Sequence, residues 1–167
     1  MKTITVMRHA KSSWNHPSQT DHERPLNDRG RHDAPMMSQR LAERGYQPDG
    51  ILVSTSQRTR ETLDLMLPAL QCDPANALFS DAIYEAPLSA LLDTICATSD
   101  TVSHLLLIGH NPGVSLLCNA LVPGSVQDMP TSAVTHYDVD GTNWSNFSQA
   151  GFQLVFHDFP KNQPATK

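Results

Sequence analysis

The stretch Ile4-Thr5-Val6-Met7-Arg8-His9-Ala10-Lys11-Ser12-Ser13-Trp14 decides how the rest of this chain is read. Its first half is a short apolar, β-branched run of the kind that forms a buried strand, and it ends directly in Arg8-His9. In open α/β sheets the ligand crevice lies beyond the carboxyl ends of the strands. A histidine held there is well placed for nucleophilic attack, and an arginine beside it can clamp an anion. Arg-His after one strand is more often the opening of a surface loop, so the pair has to be judged by its company.

Two further runs repeat the pattern. Gly50–Ser54 reads as a second buried strand, followed by helical periodicity from Thr55 to Leu70 with Ser54 or Ser56 as the cap. Arg58 and Arg60 fall near the start of that helix, where the dipole already favours anions over cations. An anion held between them and the free backbone N–H groups is one reading; ordinary solvated arginines are the other. His104–Ile108 is the strongest strand signal and runs into Gly109-His110-Asn111-Pro112-Gly113, then a helix over Val114–Leu121. Strands alternating with helices imply an α/β fold with right-handed crossovers and parallel strands. Arg8-His9, Ser54 with Arg58, and Gly109-His110 then meet at one sheet edge.

Working outward, residues 11 to 26 form a long polar loop containing Pro17 and Pro25, and loops of that length in compact domains are usually functional or disordered. Asn27 or Asp28 caps a helix ending at Gly45. Pro35 within it predicts a kink or a new helix start near Asp33. A weak strand near Ala77–Phe79 precedes Asp81, Tyr84 and Glu85, and Pro87 opens a helix over Leu88–Ala97. Ala133–Val139 and Phe152–His157 read as a hairpin joined by a polar turn at Asp140-Gly141.

Composition narrows the chemistry. Seventeen acidic against twelve basic residues give a formal charge of -5, which argues against a nucleic-acid partner. Cys72, Cys96 and Cys118 show no metal or redox spacing and read as small buried hydrophobes. No apolar run approaches the roughly 20 residues needed to span a bilayer, and no signal peptide is evident, so a cytoplasmic protein without membrane attachment is expected. Two guanidiniums and two imidazoles suit a phosphoryl dianion. With no DxD cluster, His/Cys ligand spacing or P-loop, no metal or other cofactor is required. Neutral His9 could attack phosphorus to form a phosphohistidine, with His110 as a second donor to the transition state.

Arg8-His9-Ala10, Ser54-x-x-x-Arg58-x-x-x-Thr62 and Gly109-His110 resemble the histidine phosphatase (phosphoglycerate-mutase-like) superfamily. Met7 to Trp14, Arg24-Pro25-Leu26 and Gly109 to Gly113 are similar to its small SixA-type branch, and the likeness covers about residues 4 to 135. The resemblance implies a three-layer αβα sandwich with a mostly parallel central sheet and one antiparallel strand. Length and the lack of a linker point to a single domain over residues 1–160, and the polar residues 161–167, with Pro164, read as a disordered tail. It implies His9 as nucleophile, Arg8 and Arg58 as phosphoryl clamps, His110 completing the pocket, Arg24 as a substrate contact from the loop, and a contribution from Thr131-Ser132-Ala133. Ser54-Thr55 departs from a Ser-Pro common in the family, which should alter a turn only. No motif marks a proton donor; Glu85 is the first candidate and Asp81 the second.

The activity this implies is protein-phosphohistidine dephosphorylation by a monomer, since imidazole leaves without a strong general acid. A small phosphate ester as substrate, or a non-catalytic phosphate-binding adaptor, are the alternatives. His16, His22 and His32 read as solvent-facing, His104 as a surface or capping residue, and His136 and His157 as sheet-surface residues. Trp14 either covers the pocket or pins the loop.

Overall fold

A computed structural model describes residues 1–162. The strands are β1 (Lys2–Arg8), β2 (Gly50–Ser54), β3 (Ala77–Ser80), β4 (His104–Gly109), β5 (Val134–Asp140) and β6 (Gly151–Asp158). The α-helices are α1 (Asp28–Glu43), α2 (Gln57–Leu70), α3 (Leu88–Cys96) and α4 (Gly113–Leu121). The sheet order is β3-β2-β4-β1-β5-β6, with β1, β2, β3 and β4 mutually parallel. β5 pairs antiparallel with both β1 and β6, so it is the one strand of this sheet that runs against the rest.

Helices cover both faces. Ile4, Val6, Leu105, Leu107 and Tyr137 pack toward α3 and α4, whereas Met7, Ile51, Val53, Leu106 and Ile108 pack toward α1 and α2. The four residues Leu105 to Ile108 are fully buried, as expected of a central parallel strand covered on both sides. Each such side chain contributes roughly 1.5–3 kcal/mol on burial. The central strand therefore holds the carboxyl edge of the sheet rigidly.

Two expectations need correction. No second helix begins near Asp33: α1 starts from Asn27, whose side chain accepts from Gly30 N–H, and runs through Pro35. Pro35 forfeits one backbone hydrogen bond, and burial of Ala34, Met37 and Leu41 on one face holds the helix continuous. The β5–β6 connection is longer than a polar turn. It contains a 3₁₀ segment, Trp144–Gln149, whose Trp144 and Phe147 are inserted into the core. Their burial outweighs the polar character of the neighbouring residues. In the expected tail, Lys161 and Asn162 close a turn with Asn162 N–H on the Phe159 carbonyl, and residues 163–167 lie outside the described residues. Among the described residues no helix is long and apolar enough to cross a membrane.

Candidate active site

The expected edge is present. Arg8 pairs with Gly109 at the ends of adjacent parallel strands, and Ser54 closes β2 on the other side of β4. A cleft of about 270 Å³ opens there, lined by Arg8, His9, Arg24, Arg58, Glu85 and His110 among others.

His9 is held from several directions. Its N–H donates to the Gly109 carbonyl at 3.0 Å, and Ser132 N–H donates to the His9 carbonyl at 3.0 Å. Ser132 adopts φ +65°, a left-handed turn that aims its amide back at β1. Ala10 N–H donates to Thr62 Oγ1 at 3.0 Å, and that hydroxyl donates to the Arg58 carbonyl at 2.7 Å. This explains the spacing of Arg58 and Thr62: one turn of α2 ties the end of β1 to Arg58.

The His9 ring is defined by its Nδ1 contact with the Ala10 carbonyl at 2.7 Å. A carbonyl only accepts, so Nδ1 carries the proton and Nε2 keeps its lone pair. Burial lowers the His9 pKa to about 3, helped by the nearby charges of Arg58 and Arg8. The ring is neutral and nucleophilic across the physiological range.

His110 lies 5.2 Å from His9 between ring centroids. Its Nε2 is 2.8 Å from Ser54 Oγ, and its Nδ1 accepts from Arg58 Nη2 at 3.3 Å. Nδ1 is therefore the unprotonated nitrogen, and the neutral ring donates toward Ser54. Burial, then Arg58, lower the His110 pKa to about 3. His110 donates from Nδ1 only once it gains a proton.

Arg58 is 3% exposed. Its Nη1 donates to the Asp21 carbonyl at 2.7 Å, and its Nη2 reaches Asp21 Oδ2 and Glu85 Oε1, each at 3.1 Å. Arg8 donates from Nη1 to the Met129 carbonyl at 3.0 Å. The Nε groups of Arg8 and Arg58 are both buried with no partner among the described residues. Arg60 takes no part: its Nε donates to the Thr55 carbonyl and its guanidinium stacks on Phe79.

The loop from Lys11 to Leu26 is a strap across the site. Its ends are joined by a Ser12–Leu26 bridge and by Asn27 N–H on the Lys11 carbonyl. Gly30 lets that carbonyl approach α1, since a Cβ there would sit 2.2 Å from it. Arg24 is buried, donating to the Ser13 carbonyl, Ser12 Oγ and Asp21 Oδ1, with Trp14 stacked over it at 3.2 Å. Trp14 itself is largely exposed, so it caps Arg24 at the cleft rim.

Glu85 lines the cleft, half-exposed, with Oε1 3.8 Å from His110 Nδ1. Asp81 does not line it: Asp81 accepts from Thr55 in a neighbouring cleft with His22 and Arg60. His22 also departs from expectation, bonding Thr55 and meeting the Tyr84 ring edge-on. Thr131 lines the cleft, as the resemblance implies. Asp21 was not anticipated. Nothing local marks it, because its role depends on a loop folding back over α2. Burial alone would raise its pKa, but Tyr84, Arg24 and Arg58 together hold it at about 2. Among the described residues, no group of three or more His, Cys, Asp or Glu is placed to hold a metal ion.

Two histidines and two arginines thus meet at the carboxyl edge of a mostly parallel sheet. Residues 4–78 match the histidine phosphatase superfamily (branch 1). An uncharacterized chloroplastic protein of Arabidopsis thaliana is 31% identical, over 86% of this chain and 69% of its own length. An uncharacterized protein of Mycobacterium tuberculosis is 30% identical, over 93% of this chain and all of its own length. Among solved structures, SixA from Agrobacterium tumefaciens aligns at 27% identity and TM-score 0.82, covering 95% of this chain and 98% of that chain. SixA from Nakamurella multipartitia aligns at 25% identity and TM-score 0.83, covering 96% and 97%. The chain belongs to the histidine phosphatase superfamily, in its SixA-type branch, and is a hydrolase of the phosphatase class.

Proposed function

We propose that this phosphatase carries the phosphoryl group on His9 as a covalent intermediate and that its substrates are phosphohistidine-bearing proteins. The observation that carries the reading is the His9 ring. Its Nδ1–H is committed to the Ala10 carbonyl, so a neutral Nε2 lone pair stands in a cleft flanked by Arg8, Arg58 and His110.

In the first step that lone pair forms a bond to phosphorus while the bond to the leaving group breaks, its electron pair departing with the leaving group. Arg8 and Arg58 offset charge on the equatorial oxygens. A bound dianion also offsets the cations that depress His110, so His110 takes up a proton at Nδ1 and becomes a third donor. In the second step water attacks the phosphohistidine, inorganic phosphate leaves, and the imidazole is regenerated.

The substrate class follows from the leaving group. Asp81 lies outside the cleft, which leaves Glu85 as the one lining candidate for a proton donor, with its Oε1 already engaged by Arg58. An alkoxide leaving group needs such a donor, worth about 10²–10⁴-fold, whereas a ring-protonated imidazole does not. A monomer is the expected state, and the three free cysteines suit a reducing cytoplasm. A small phosphate ester is the second reading, favoured by the modest volume of about 270 Å³.

Rapid quenching in SDS at alkaline pH with a radiolabelled phosphohistidine protein tests the reading in wild type and His9→Ala. An acid-labile, base-stable label on wild type alone, with phosphate released, is expected. Phosphate release by His9→Ala at the wild-type rate overturns the nucleophile. Label from an alkyl phosphate and none from the phosphoprotein moves the substrate to the small ester.

A further inference from the structure

Arg58 and Arg24 both line the cleft, one from the first turn of α2 and the other from the strap. Both are buried, and both donate to the same carboxylate. Arg58 Nη2 reaches Asp21 Oδ2 at 3.1 Å, and Arg24 Nη1 reaches Asp21 Oδ1 at 3.0 Å. Tyr84 also donates its hydroxyl to Oδ2. One oxygen on each guanidinium is the way a phosphoryl group would bridge two arginines.

The partners differ in freedom. The Arg58 and Arg24 side chains are 3% and 10% exposed, whereas that of Asp21 is 45% exposed and sits on a surface strap. Glu85, the other carboxylate on Arg58, bonds neither Arg24 nor Tyr84. The carboxylate able to move away from both arginines is that of Asp21.

We propose that Asp21 is an intramolecular competitor for the phosphoryl group: its carboxylate occupies the Arg58 and Arg24 donors and has to leave them when an oxyanion binds. This rests on the reading that the cleft binds a phosphoryl group. Two consequences follow by linkage, since any ligand must displace the bond already made. Affinity for free inorganic phosphate is held down, so product leaves readily. Productive binding also carries a movement of Asp21, which releases Arg24 Nη1 as an additional donor.

The competition is read by titrating wild type, Asp21→Asn and Tyr84→Phe with inorganic phosphate and with tungstate by calorimetry. Asp21→Asn keeps the side-chain shape and removes the charge. It is expected to bind both oxyanions about tenfold tighter or better, the size of one charged hydrogen bond. Tyr84→Phe keeps Asp21 and removes one of its tethers, so it shifts affinity the same way by a smaller factor. In turnover, Asp21→Asn is expected to show stronger product inhibition by inorganic phosphate.

Equal or weaker oxyanion binding by Asp21→Asn, with wild type binding normally, overturns the proposal and leaves the phosphoryl-site reading intact. Should Asp21→Asn fail to fold, unchanged or weaker binding by Tyr84→Phe overturns it in the same way. Binding that is unaffected by Arg8→Ala and Arg58→Ala, or no oxyanion binding in any form of the protein, overturns the phosphoryl-site reading, and the competitor with it.

Discussion

His9 and His136 face opposite fates in one sheet, His9 just past the carboxyl end of β1 and His136 on β5 beside the middle of β1. Both rings are hydrogen-bonded through Nδ1, His9 to the Ala10 carbonyl and His136 to Thr5 Oγ1 at 2.8 Å. Burial is the leading cause of a lowered pKa in both. The surroundings separate them. His136 stacks on Phe156 at 5.1 Å and meets Tyr46 edge-on, and the nearby Arg44 lies over Phe156. His9 instead shares a cleft with Arg8, Arg58 and His110. A depressed histidine is therefore no mark of a site by itself; convergent donors with room for a ligand are what distinguish one.

The sharpest way to break this contrast is to remove each ring. His9→Ala is expected to lose roughly 10⁴–10⁶-fold in kcat together with the trapped phosphoenzyme, in line with other catalytic nucleophiles. His136→Ala should keep turnover within about twofold, since the ring packs on the sheet and lines no part of the cleft. Comparable losses in both would erase the distinction. Next in size, Arg58→Ala should lower kcat/KM by roughly 10²–10³-fold, as when a transition-state donor is removed.

Acid sharpens the contrast through stability. His9 and His110 are pushed down to about 3 from 6.5. Above pH 6.5 both are neutral in the folded and unfolded states. Between 6.5 and about 3 the unfolded chain binds protons that the fold rejects, so stability falls as pH drops through that window. Melting temperatures from pH 7 to pH 4 should decline, and less steeply in His110→Gln, which lacks one of the two groups.

In the middle of β1, Thr5→Val leaves His136 Nδ1 without its partner and should cost about 1–3 kcal/mol in denaturant unfolding, with activity unchanged. The smallest effect is expected from Glu85→Gln, about threefold or less on a phosphohistidine protein, because that leaving group needs little acid assistance. A large loss there would assign Glu85 as the proton donor.

How much of this was legible depended on where each residue sits. Gly50–Ser54 is a strand with the boundaries its β-branched, apolar composition indicates, and Arg8-His9, Arg58 and His110 meet where alternating strands and helices require. Regular elements have fixed periods and fixed ends, so their terminal residues can be placed by counting. Arg60, two residues from Arg58, could not be separated from it in that way. Its fate is settled by Phe79 on β3, a residue far along the chain.

The amino-acid sequence alone determined the α/β class, the parallel core and the strand-end histidine and arginine set, because hydrophobic periodicity and crossover handedness leave few alternatives. Only the tertiary structure decided which His9 nitrogen is free, that His110 presents an acceptor, and that Asp21 bridges Arg58 and Arg24. Those properties arise from single hydrogen bonds. In the case of Asp21, the partners come from an irregular loop whose path is set by long-range contacts and by no local period.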